Sequence, residues 1–459
     1  MFFFLTVTML LYFIIPDKFR NILILITGLF FYAWGEPKYV IIMLVSTAID
    51  YTAGRLIDKF SDKRNYQTAF LLISVIMNLG LLGVFKYSSF IITTINSVFG
   101  TSINDPQIPL PIGISFYTFQ SMSYTIDLYM RKIKVQKNFF SFAAYVTLFP
   151  QIVAGPIVRY ETVSKEIDHR TVTVSKVSEG IGKFLKGLAK KVLLANNIGL
   201  VWAQVKAMDY SEISCATAWL GILAFTFQIY FDFSGYSDMA IGLGKMLGFN
   251  FPINFDHPYL SRSVSEFWRR WHITLGSWFR EYVYIPLGGN RKGQARTIIN
   301  LFIVWALTGL WHGSSWNFVL WGLYFGVLIV IERLGLGKVL EKLPKAISML
   351  YTFLMVIFGW VLFDTNTITD AWLYFKAMFG ATGIVSDNTA LYLLASNIVI
   401  YAVCIFASTD IFTKITDKLS EKKTLYYRIA ALSAQIAVLI CCTAFLVDAS
   451  YNPFLYTRF

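Results

Sequence analysis

The chain has 459 residues, 56% of them hydrophobic and only 15% charged, and its mean hydropathy is +0.57. A soluble domain carries about 25% charged residues, so this sequence lacks the polar surface to cover itself in water. The net charge of +13 does not point to nucleic acid, because Lys and Arg fall in short loops between apolar runs, as the positive-inside rule describes for cytoplasmic loops.

Apolar runs fall near 1–15, 21–34, 39–54, 67–85 and 109–128. The first has no basic leader and no small-residue cleavage site, so it reads as a span rather than a removed signal. Lys18 and Arg20 follow the first run. Arg55, Lys59, Lys63 and Arg64 follow the third, and Arg131, Lys132, Lys134 and Lys137 follow the fifth. The alternation predicts cytoplasmic placement for these loops and an external N-terminus. Residues 139–330 are less regular. Phe149-Pro150 and Ala154-Gly155-Pro156 interrupt an apolar run, and irregular backbone at membrane depth is tolerated only inside protein or beside a water-filled cavity. Lys183, Lys186 and Lys190 recur at helical spacing against Leu185, Leu188 and Val192, which predicts a basic amphipathic helix on the cytoplasmic surface over 181–193. Residues 333–345 and 412–428 are basic and 364–389 acidic, so the last run, about 427–448, crosses outward and leaves the tail 449–459 outside. With roughly 20 residues per span, the chain reads as an all-α polytopic membrane protein of about 11–12 transmembrane helices. No repeat or flexible linker divides it, which gives one domain, 1–459.

Ionisable groups inside membrane segments are expensive and usually functional, and here they concentrate between 230 and 317. Asp232 and Asp238 lie in one apolar run. Trp271-His272 follows Arg269-Arg270, then come Arg280 and Glu281, and Trp311-His312-Gly313 ends an apolar helix with Asn317 just beyond. Of the four histidines, His169 sits in a polar loop and His257 in a turn-like Asp256-His257-Pro258. His272, between aromatic residues and a basic pair, suits a structural hydrogen bond. His312 is preceded by an uncharged apolar helix. Desolvation there favours the neutral imidazole, which suits a general base; a core histidine with its hydrogen bonds satisfied is the alternative. The carboxylates of Asp232 and Asp238 could hold a coupling ion, but internal ion pairs with Arg269, Arg270 or Arg280 fit better. Nothing in the sequence supports zinc, a nucleophile elbow or a phosphate loop. Cys215, Cys404, Cys441 and Cys442 lack metal-type spacing.

Several segments resemble the membrane-bound O-acyltransferase family, in its bacterial branch of alginate and peptidoglycan O-acetyltransferase membrane subunits. They are Phe30-Phe31-Tyr32-Ala33-Trp34-Gly35-Glu36-Pro37, Pro111-Ile112-Gly113-Ile114-Ser115-Phe116, Phe149-Pro150-Gln151-Ile152-Val153-Ala154-Gly155-Pro156-Ile157, the stretches 232–238 and 266–291, and Gly309-Leu310-Trp311-His312-Gly313. They occur in family order over nearly the whole chain. The resemblance implies a ring of helices with re-entrant segments around a thin central region, pierced by a tunnel. It places His312 there as the catalytic residue and His272 nearby on the cytoplasmic side. Trp311, Trp271, Asn317, Asp232, Asp238 and Arg280 are candidates to line the tunnel. Phe325 stands where many relatives carry His. The tail Phe454-Leu455-Tyr456-Thr457-Arg458-Phe459 resembles the FxYxxF motif of bacterial acyl-transfer systems. That likeness implies Tyr456 as an acyl carrier; an interfacial aromatic anchor is the plainer reading.

These expectations add up to an O-acetyltransferase of the bacterial inner membrane with both termini outside. It would bind no permanent cofactor or metal, take acetyl-CoA as donor, and hand the acetyl group to an exported SGNH-type transferase acting on a cell-surface polysaccharide. The rivals are D-alanyl transfer to teichoic acid from a carrier protein, and an ion-coupled transporter or flippase using Asp232 and Asp238. Membrane lipid is the expected surrounding partner, and nucleic acid is not expected.

Overall fold

The computed structural model describes residues 2–153, 155–421 and 425–448. Among these residues the chain is all-α, and its only β-type pairing is an isolated bridge between Phe255 and Trp271. Seven helical segments are long and apolar enough to cross a membrane: Val40–Lys59, Arg64–Phe99, Cys215–Met246, Trp316–Lys342, Lys345–Asp364, Asn388–Ala407 and Arg428–Val447. Eleven or twelve were expected. Helices such as Phe2–Ile14, Arg20–Gly35, Ile114–Tyr129 and Gln294–His312 are shorter or less apolar than these seven. Two compact units can be described, residues 1–181 with 240–252, and residues 182–239 with 253–459.

In the first unit, helices Val40–Lys59, Arg64–Leu82 and Ile114–Tyr129 pack side by side. A carboxylate within a span must find its hydrogen bonds in the protein. Asp50 does so, accepting from Ser74 Oγ at 2.6 Å and Asn78 Nδ2 at 2.7 Å, while Ser46 Oγ donates to Asn78 Oδ1 at 2.7 Å. The interruption foreseen around Phe149-Pro150 is non-helical from Thr147 onward and nearly all buried. Its neighbours carry the backbone pairing that a helix would have supplied. Gln120 Nε2 donates to Tyr145 O at 2.8 Å, and Tyr145 OH donates to Val158 O at 2.9 Å.

In the second unit the core is built from helix Cys215–Met246, the short helices around Trp268 and Trp271, and the segments carrying Trp305, Trp321 and Trp360. The lysines of the supposed surface helix do not all face solvent. Helix Val174–Ala189 runs into a wider turn, Lys190–Ala195, where Lys191 is buried against Asp232; Lys183 and Lys190 both reach Asp238 at 2.7 Å. The expected partners Arg269, Arg270 and Arg280 are therefore the wrong ones, and Arg270 instead pairs with Glu266 at 2.8 Å. The amphipathic pattern marked one face of that helix as apolar but could not show that its basic edge meets buried carboxylates.

Helices Gln294–His312 and Trp316–Ile331 cross at glycines. A Cβ on Gly309 would stand 2.2 Å from Phe318 O, and one on Gly322 would stand 2.2 Å from Trp305 O. Both obstacles are backbone, which cannot swing aside. Gly322→Ala should therefore cost about 1–3 kcal/mol, as overpacking does, and lower the melting temperature in detergent by several degrees. An unchanged melting temperature would show that the crossing is looser than these distances.

Candidate active site

The centre of the second unit is set by a backbone pairing. Asp256 N donates to Arg270 O at 2.9 Å and Ile273 N donates to Asn254 O at 3.0 Å. The pairing holds the break between helices Val264–Arg270 and Ile273–Phe279, and His272 occupies that break with φ +47°. A left-handed residue other than glycine costs on the order of 1–3 kcal/mol, and such strain tends to collect at functional sites. The first of the two helices is fixed at its N-terminus. Ser263 Oγ accepts from Glu266 N at 3.0 Å, and Glu332 accepts from Val264 N at 2.6 Å, Ser265 N at 2.9 Å and Ser265 Oγ at 2.6 Å. These satisfy backbone donors that a helix start leaves open.

Asn254 determines the tautomer of His272. Thr274 N donates to Asn254 Oδ1 at 3.2 Å and Thr274 Oγ1 does so at 2.9 Å, so the oxygen of the carboxamide must face this way. His272 Nδ1 lies 3.2 Å from the same oxygen and is therefore its donor, which leaves the lone pair on Nε2. Nothing in the sequence singled out Asn254, which carries no charge and sits in a loop. His272 lies outside the seven candidate spans, and burial pushes its imidazole down to about 3.

His272 forms part of the wall of a cavity of about 360 Å³, together with Trp268, Trp271, Arg280, Trp305 and Thr308. The wall is mostly apolar, with Arg269 and Arg280 exposed at it. Its size falls within the range of small-molecule sites. Trp268, and Trp321 nearby, carry indole N–H groups with no acceptor among the described residues.

His312 ends helix Gln294–His312 and is buried, but it is not part of that wall. Its ring stands 6.5 Å from the His272 ring, centroid to centroid, and is enclosed by Trp321 at 4.8 Å, Trp311 at 5.0 Å and Phe363 at 5.5 Å. Trp311 also meets His272 at 5.7 Å. The helix stops at His312, where Gly313 turns extended, and Gly313 packs against the Phe318 ring, where a Cβ would fall 2.0 Å from the nearest carbon. Of the other candidates, Trp271 and Arg280 line the cavity. Asn317 instead donates from Nδ2 to Thr365 O at 2.7 Å, tying two helices together. Asp232 and Asp238 are held in the lysine pairs, although Phe233, next to Asp232, meets the His272 ring at 4.7 Å. Phe325 is fully buried among Trp268, Trp305 and Trp321. Tyr456 and the tail 449–459 lie outside the described residues.

Residues 38–337 match the model of the membrane-bound O-acyltransferase family. The chain is 41% identical to a probable alginate O-acetylase of Pseudomonas aeruginosa, over 83% of this chain and 73% of that protein. It is 36% identical to a probable alginate O-acetylase of Azotobacter vinelandii, over 100% of this chain and 98% of that one. A peptidoglycan O-acetyltransferase of Helicobacter pylori is 33% identical, over 83% of this chain and 79% of its own length.

Stability against pH gives a test of the His272 environment. An unfolded histidine takes up its proton near 6.5, whereas the folded imidazole stays neutral down to about 3. Its contribution is therefore complete above about 6.5 and is lost as the pH falls toward 3, by about 1.4 kcal/mol per pH unit. The wild type should lose melting temperature between pH 6.5 and 5 more steeply than His272→Gln. Equal slopes would place His272 in contact with water.

Proposed function

From the premise that the chain belongs to the membrane-bound O-acyltransferase family, and is therefore an O-acyltransferase, we propose that it moves an acetyl group from cytoplasmic acetyl-CoA toward a cell-surface polysaccharide. The observation that carries this reading is the pair of buried histidines in ring contact, one of them in the wall of a largely apolar cavity. The names of its relatives point to polymers outside the cell as the final acceptors.

In this reading the pantetheine arm of the donor lies in the cavity with its thioester near His272, and Tyr456 approaches from the side of His312 through a tunnel. In this scheme the two imidazoles take different parts. Burial pushes the His272 imidazole down to about 3, which makes it a weak base. Its Nε2 lone pair is suited instead to accept a hydrogen bond, such as one from an amide of the donor arm. The base is His312. It takes the phenolic proton as the Tyr456 oxygen attacks the thioester carbonyl, and it returns that proton to the departing thiolate. The products are a phenyl acetate on Tyr456 and free coenzyme A. A separate exported SGNH-type transferase then moves the acetyl group to a sugar hydroxyl. The relay lets a donor inside serve an acceptor outside while the coenzyme stays in the cytoplasm.

Purified protein incubated with acetyl-CoA labelled in the acetyl group tests the scheme. The wild type should become covalently labelled, Tyr456→Phe should lose the label, and His312→Ala should lose turnover by about 10²–10⁴-fold, the usual worth of a general base. Normal labelling and turnover in His312→Ala would overturn the assignment of the base. A label taken only from a D-alanyl carrier protein would favour D-alanyl transfer.

A further inference from the structure

Two hollows of the second unit meet at Leu260, and neither shares a residue with the His272 cavity. The first, about 460 Å³, is almost wholly apolar and is walled by Phe227, Tyr259, Leu350, Phe353, Tyr401 and Ile405. Most of these belong to Cys215–Met246, Lys345–Asp364 and Asn388–Ala407, all candidate spans. The second, about 390 Å³, is lined by Leu260, Arg262, Glu266, Arg270, Lys345 and Asp410.

The charges of the second hollow do not cancel. Glu266 is committed to Arg270 at 2.8 Å and also accepts from Arg262 N at 2.8 Å. Asp410 is committed to Lys414 at 2.7 Å. That leaves the Arg262 guanidinium and the Lys345 ammonium, both exposed, with no ion pair among the described residues. Their position matters as much as their charge. Lys345 begins one span, and Asp410 lies three residues beyond the end of another, Asn388–Ala407. The cationic hollow therefore sits at one end of the apolar groove, where the spans meet the membrane surface.

We infer that the two hollows form one binding site for an anionic phospholipid. An acyl chain lies along the groove between Tyr259, Leu350, Phe353 and Tyr401, and the phosphate meets Arg262 and Lys345. A groove at membrane depth is in contact with acyl chains in any case, and basic pockets between spanning helices recognise anionic headgroups. The apolar groove gives the site a use for a tail that a free phosphate does not have.

Native mass spectrometry of the full chain, purified in a neutral detergent with phosphatidylglycerol or phosphatidylcholine added, tests this. The wild type should retain phosphatidylglycerol in preference to phosphatidylcholine. Arg262→Gln with Lys345→Gln should weaken phosphatidylglycerol about 30-fold, at roughly 1 kcal/mol for each cation. Leu350→Trp, which fills the groove and leaves the cations in place, should also lose the lipid. If the double variant weakens binding and Leu350→Trp does not, the cations merely attract an anionic surface and the built site is wrong. Equal retention of the two lipids by the wild type also overturns it. Melting temperatures of the variants in plain detergent establish that each is folded, and Lys345→Gln alone replaces the double variant if that one is not.

Discussion

A polar group in an apolar interior has no water to fall back on, and the second unit is organised around that constraint. The His272 imidazole is placed by the Asn254 carboxamide, whose one oxygen serves three donors. Asn254 is in turn placed by the backbone pairing of its segment with residues 270–273. Glu332 secures the helix that leads into His272, and the lysines beside Asp232 and Asp238 neutralise the helix that carries Phe233 against the His272 ring. Each partner supports the next. Removing one would leave a buried donor or acceptor open, at about 1–3 kcal/mol.

The two histidines stand in ring contact but in different surroundings. His272 touches the cavity, and its tautomer is set by a fixed acceptor. His312 is set back behind it, held by three aromatic rings and by the abrupt end of its helix. His272 is the imidazole that faces the cavity. In the acyl-transfer scheme the stronger demand, removal of a phenolic proton, falls on the ring that the cavity does not expose.

Composition alone revealed the membrane, because 15% charged residues cannot clothe a chain of this length. His272 and His312 were visible as ionisable residues where such residues are costly, and the motif order identified the family. Other features have no local signature. The partners of Asp232 and Asp238 lie more than forty residues upstream, on a helix whose pattern describes only its own faces. Asn254 is an uncharged residue in a loop, and the glycine crossing at Gly309 and Gly322 depends on which helices become neighbours. Hydropathy is shared between the long apolar helices and shorter or more polar ones, so boundaries between neighbouring runs are not visible in it.

Glu332 and the pair Arg262 with Lys345 differ in how their charge is answered. The Glu332 carboxylate is met by backbone and hydroxyl donors of a helix start, which are fixed in place and buried with it. Dissolved ions cannot readily compete with such partners. Arg262 and Lys345 stand exposed, where a Debye length of about 8 Å at physiological salt governs what they attract. Ionic strength therefore separates the two parts of this unit. The frame that holds His272 is indifferent to it, while any anion drawn to the outer hollow is held more loosely as salt rises.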